Sequence, residues 1–174
     1  MYRPNYFQTK FSLVRNQVSE VTYSLESLRM IYFCNVHSII SYGIIFWGNS
    51  TCSNTIFKLR KRVIRIMMKT GNRESCRDLF KKLIILPLHS QYILSLLLFV
   101  VKNINMSKSN LVVHSVSTRH CPDLYLPSAH LTKVQKGVYH SRIKVFICLP
   151  TGIKSLSGVV RKFKSALKRF LLEG

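Results

Sequence analysis

Acidic residues are scarce in this chain. Asp78 and Asp123 are the only aspartates, and Glu20, Glu26, Glu74 and Glu173 the only glutamates. A two-metal polymerase or nuclease centre needs clustered carboxylates to hold its cations, so neither such a site nor any enzymatic activity is expected. Cysteine usage is equally uninformative for a scaffold. The five cysteines are an odd number, spread evenly, with no Cys-x-x-Cys pair. That pattern fits reduced thiols better than a disulfide framework. Cys34 with His37 and His120 with Cys121 would have to converge from unrelated segments to bind zinc, so no metal and no cofactor is expected. A Gly-rich phosphate loop is absent. The start of the chain lacks a signal peptide's apolar core, which points to the nucleus or cytoplasm rather than secretion. Long apolar runs are missing too. Pro87, His89, Ser90, Gln91 and Ser95 interrupt the greasiest stretch, Leu83 to Val101, so it reads as a core helix and a membrane partner is not expected.

Positive charge fills the space left by the acids. The 174 residues carry 27 Lys or Arg against 6 Asp or Glu, a formal charge of +21. The apolar share, 47%, is that of a folded protein, so the chain is not a disordered basic tail. Such a surplus repels itself, and a polyanion is the natural counterweight.

Periodicity predicts a mainly α fold, a small bundle of about five helices with an irregular Pro/Ser/His-rich arm. Residues 1–22 read as a basic lead-in. Leu25, Leu28, Ile31, Tyr32, Val36, Ile39 and Ile40 predict a helix from Tyr23 to about Trp47, weakly capped by Ser24 and Ser27 and loosened at Gly43 and Gly48. A second helix presents Ile56, Leu59, Val63, Ile66 and Met67 as an apolar stripe, with Lys58, Lys61, Arg62, Arg65 and Lys69 on another face. Gly71 and Asn72 suit its C-cap. A shorter helix is expected from about Glu74 to Lys82, and a nearly uncharged one from Ser90 to Asn103. Pro122 and Pro127 mark residues 104–138 as the arm, with short strand pieces around Leu111 to Val116. Residues 139–174 end in a basic amphipathic helix. There Val160, Phe163, Leu167, Phe170 and Leu171 face Arg161, Lys162, Lys164, Lys168 and Arg169.

Three side-chain groups invite functional readings. Either basic face is compatible with simple solvation, and the last helix also suits an anionic membrane surface or an acidic protein. Tyr42, Phe46 and Trp47 are of the type that stacks on bases, but close packing at the end of the first helix is the plainer role for Tyr42-Gly43 and Trp47-Gly48. His37 and Ser38 do not make a hydrolase dyad, because adjacent helical side chains diverge by about 100°.

Taken in order, several phrases resemble a known family. They are Leu28-Arg29-Met30-Ile31-Tyr32-Phe33, the run from His37 through Tyr42-Gly43-Ile44-Ile45-Phe46-Trp47-Gly48-Asn49, Ile56 to Ile66, Ser75 to Phe80, Ile85-Leu86-Pro87-Leu88, and Leu149-Pro150 before a basic helix. Over roughly residues 10–172 the chain resembles the thumb and post-thumb region of reverse transcriptases from non-LTR, jockey-like retrotransposons. In that family the paired aspartates belong to the preceding palm, and no such pair occurs here. Two positions depart from the pattern: Arg60 replaces a customary Gln, and Ile147 an Asn. The resemblance implies a thumb-like core at 23–103 and non-catalytic gripping of RNA or DNA backbone. The residues expected to do so are Lys58, Lys61, Arg62, Arg65, Lys69, Arg161, Lys162, Lys168 and Arg169. It also implies the palm domain of a parent polymerase as a possible partner. The alternatives are a degenerate remnant without activity, or a basic membrane-surface or protein-interaction module.

Overall fold

Buried side chains recur every fourth residue at the start of the fold: Leu28, Tyr32, Val36, Ile40 and Ile44. In a regular α-helix a four-residue step drifts by about 40°, so five such residues could not keep facing one side. The computed structural model resolves the conflict by widening the helix. It describes residues 24–71, 73–115 and 124–173, with Thr9, Ser12 and Asn16. Helix α1 (Leu25–Tyr32) begins at Ser24, whose Oγ accepts from the Ser27 amide at 3.2 Å, with Glu26 in the first turn. It continues into a π-helical segment, Phe33–His37, where the Ser38 amide bonds back to the Phe33 carbonyl. The wider turn takes up the drift. Helix α2 (Ser38–Ser41) follows, and Gly43, at φ 62°, breaks the path before α3 (Ile44–Trp47). The single helix predicted from Tyr23 to Trp47 is therefore three short helices and a π segment.

The chain divides into two compact units, Met1–His89 and Ser90–Gly174. In the first, α4 (Ser53–Met67) packs against α5 (Cys76–Lys82). Phe57 stacks on Phe80 at 6.4 Å between ring centroids. Ser75 caps α5, and Asp78 lies in its first turn. Both helices end in the same way. After α4, the Lys69 amide bonds to Ile66 O at 3.2 Å and the Thr70 amide to Arg65 O at 3.0 Å. After α5, the Ile84 amide bonds to Lys81 O and the Ile85 amide to Phe80 O, both at 3.0 Å. These are Schellman ends, whose left-handed position normally holds glycine. Here Lys69 (φ 52°) and Ile84 (φ 54°) occupy it. The expected cap at Gly71 is corrected: α4 stops four residues sooner, and Asn72 lies outside the described residues.

Helix α6 (Leu88–Lys102) starts immediately after Pro87, which cannot lie within a helix without breaking it. Among the described residues no helix is long and apolar enough to cross a membrane. In the second unit Leu97, Val100 and Val101 of α6 pack with Leu124, Leu149, Ile143 and Phe146 of α9 (Val138–Ile147), and Phe163 and Leu167 of α11 (Val160–Glu173). Between them lie α7 (Asn110–His114), α8 (Thr132–Gln135) and α10 (Thr151–Lys154). Strand pieces expected around Leu111 to Val116 are corrected. Residues 110–114 are helical, Ser115 ends them at φ 54°, and extended pairing among the described residues is confined to the bridge of Ser109 with Leu124. The fold is mainly α, with more and shorter helices than five. Most of the basic lead-in at residues 1–22, and Val116, Arg119, His120, Cys121 and Pro122 of the arm, lie outside the described residues.

Candidate nucleic-acid interface

At about 100° per residue, Lys58, Lys61, Arg62 and Arg65 fall within an arc of about 100° on α4. Ile56, Arg60, Val63, Ile64 and Met67 are buried on the opposite side. The buried face is thus rotated from the predicted stripe: Leu59 and Ile66 are only half-buried, while Arg60 and Ile64 lie inside. Lys58 and Arg62 are exposed, and Lys61 and Arg65 are half-buried. The Lys61 ammonium lies 4.3 Å from the Phe57 ring centroid. Arg65 donates through Nε (3.1 Å) and Nη2 (2.8 Å) to the Glu74 carbonyl, tying the end of α4 to the loop before α5. Lys69 is exposed but sits beyond the helix, in the left-handed turn, rather than on the helical face. Four like-charged pairs at three- and four-residue spacing destabilise α4 by about 1–2 kcal/mol in all, a penalty that an anion would relieve.

In the second unit, α11 turns Phe163 and Leu167 inward. Arg161, Lys162 and Arg169 are exposed and Lys168 half-buried. The nine sequence-predicted residues thus fall into two sets, one in each unit. None is fully buried, and among the described residues none of the nine is paired with a carboxylate. No group of three His, Cys, Asp or Glu among the described residues stands close enough to hold a metal.

Two arginines behave otherwise and are buried. Arg60 is 0% exposed: its Nε donates to Tyr32 Oη at 2.6 Å, and its guanidinium lies 5.6 Å from the Tyr32 ring centroid and 5.7 Å from that of Phe80. Burial holds Arg60 below the ordinary arginine range, partly offset by Tyr32. Burial likewise raises the Tyr32 hydroxyl, partly offset by Arg60. Arg142, 5% exposed, lies 5.4 Å from the Phe99 centroid and 4.6 Å from that of Tyr139. Its position on α9 opposite no acidic residue gave no sign of burial. Arg60 did leave a trace, since Ile56, Arg60 and Ile64 share one four-residue repeat.

The aromatic turn also departs from expectation. Ile44 and Gly48 are buried, but Tyr42 is 86% and Phe46 77% exposed, so these two rings do not close the end of the first helix. Trp47 is half-buried and its Nε1 donates to the Tyr42 carbonyl at 3.1 Å. His37 meets the Phe33 ring at 4.9 Å, and Ser38 Oγ donates to the Cys34 carbonyl at 2.5 Å.

Comparison with protein families, curated proteins and solved structures finds no match to this chain.

Proposed function

We propose that this protein binds the phosphate backbone of RNA or DNA without catalysing a reaction on it, and that it derives from the thumb-side region of a non-LTR retrotransposon reverse transcriptase. The observation that carries the binding reading is the cationic face of α4, set opposite the buried face and without a carboxylate on it. Lys58 and Arg62 offer exposed charge, Lys61 is held over Phe57, and Arg65 keeps part of its guanidinium beyond the two bonds to Glu74 O. Such groups meet phosphate oxygens as point charges or forks, giving affinity without base reading. The cationic face of α11 supplies a second set in the other unit. The order of the phrases from Leu28 to Pro150 supports the retroelement origin, with the chemistry assigned to a palm domain elsewhere.

The test is salt dependence. Affinity for mixed-sequence RNA or DNA falls log-linearly with salt, with a slope of about −0.7 to −0.9 per phosphate contact. Replacing Lys61, Arg62 and Arg65 with Gln removes up to about 2–3 from the magnitude of that slope. A slope unchanged by the triple replacement contradicts the assignment of α4.

A further inference from the structure

We propose that Tyr42 and Phe46 form a base-stacking platform, so that the preferred ligand is single-stranded rather than duplex nucleic acid. The inference rests on the backbone-binding reading and adds the part of the ligand that phosphate contacts leave unread. Large aromatic rings exposed at 86% and 77% leave apolar surface in water, which folding ordinarily removes. Here the local structure holds them outward. Gly43 takes the left-handed conformation between α2 and α3, and a Cβ at that position would lie 3.8 Å from Phe46 Cδ2, so the Phe46 ring rests over the glycine. The Phe46 amide donates to Gly43 O at 2.9 Å and Trp47 Nε1 closes the turn onto Tyr42 O. Ile44, almost fully buried, anchors the same turn from below. The rings are therefore presented by a fixed turn, which lowers the ordering cost of binding.

Charge selects the occupant. Between Glu26 and Glu74 the chain carries no acidic residue, and this stretch contains both rings and the cationic face of α4. A basic stretch without acidic residues of its own and with bare aromatic faces suits a polyanion whose own rings are accessible. In a duplex the bases are stacked on each other, whereas in a single strand each offers a π-face.

The experiment measures binding of the full chain to three labelled ligands: a mixed-sequence single strand, an equally long strand of abasic sites, and a duplex. The fluorescence of Trp47, the single tryptophan, serves as a local reporter. The base-bearing strand is expected to bind about ten-fold or more tightly than the abasic strand and to quench Trp47. Tyr42→Leu and Phe46→Leu, which keep apolar bulk but lose the π-face, each reduce that preference by about five-fold or more and leave the salt slope unchanged. Tyr42→Phe retains the preference. Salt-dependent binding that is equal for base-bearing and abasic strands overturns the platform and spares the backbone reading. Absence of salt-dependent binding to every strand overturns the backbone reading, and the platform with it. Self-association of the wild-type chain that Tyr42→Leu abolishes also overturns the platform, since the rings are then an interface between copies.

Discussion

Arg60 is the sharpest place to test how the first unit is held together. A guanidinium removed from water carries a desolvation cost of several kcal/mol. The 2.6 Å bond to Tyr32 Oη and the rings of Tyr32 and Phe80 help to offset it. A hydrogen bond to a charged group contributes about 1.5–3 kcal/mol. Tyr32→Phe removes this acceptor from the buried charge, and is expected to cost about 2–3 kcal/mol. Adding Arg60→Met removes the charge while keeping an unbranched apolar side chain among the rings, and recovers most of that loss. A double-mutant cycle should therefore give a coupling of about 1.5–3 kcal/mol. Urea unfolding followed by Trp47 fluorescence measures it within the first unit. Additivity within about 0.5 kcal/mol would refute the reasoning, because the two side chains would then act independently.

The same pair sets an alkaline dependence. With the Tyr32 pKa raised above its ordinary 10.0, the stability it contributes is complete below pH 10 and declines as pH rises through its folded value. Stability measured across that range should fall less steeply in Tyr32→Phe. Lys69 and Ile84 occupy left-handed positions that glycine fills without strain, so Lys69→Gly and Ile84→Gly should each stabilise the chain by up to about 1 kcal/mol in urea titrations. Only Lys69→Gly should also weaken RNA binding, by removing a cation. Among the described cysteines, Cys34, Cys52 and Cys148 are exposed and Cys76 is buried with its thiol toward Lys61 O. A thiol reagent read by mass spectrometry should label those three well before Cys76.

The mainly helical fold was legible because amphipathic spacing survives in short segments. Apart from Lys69, which falls in the turn after α4, the basic residues of α4 and α11 predicted to bind lie away from the core, since a core that holds Ile56 and Met67, or Phe163 and Leu167, turns the residues half a turn away toward water. The internal geometry of the first helical stretch was not legible. A four-residue repeat of Leu28, Tyr32, Val36, Ile40 and Ile44 reads as ordinary helix until the drift is worked out, and only then calls for a wider turn. Arg60 and Arg142 escaped for another reason. Formal charge assigns them to the surface, and nothing local announces that Tyr32 and Phe80 will come from distant positions to enclose Arg60, or that Phe99 will join Tyr139, three residues away on the same helix, over Arg142. The exposure of Tyr42 and Phe46 was hidden in the same way, because burial of their neighbour Ile44 is decided by tertiary packing.

Protection of individual lysines tests the central claim most directly. An amine-reactive reagent applied to the full chain, with and without saturating single-stranded RNA, reports by mass spectrometry which ammonium groups the ligand covers. The account predicts strong protection at Lys58 on α4 and at Lys162 on α11, with the exposed Lys133 of α8 and Lys136 just after it labelled as in the free protein. Equal protection at all four, or Lys58 as reactive in the complex as without RNA, would contradict it.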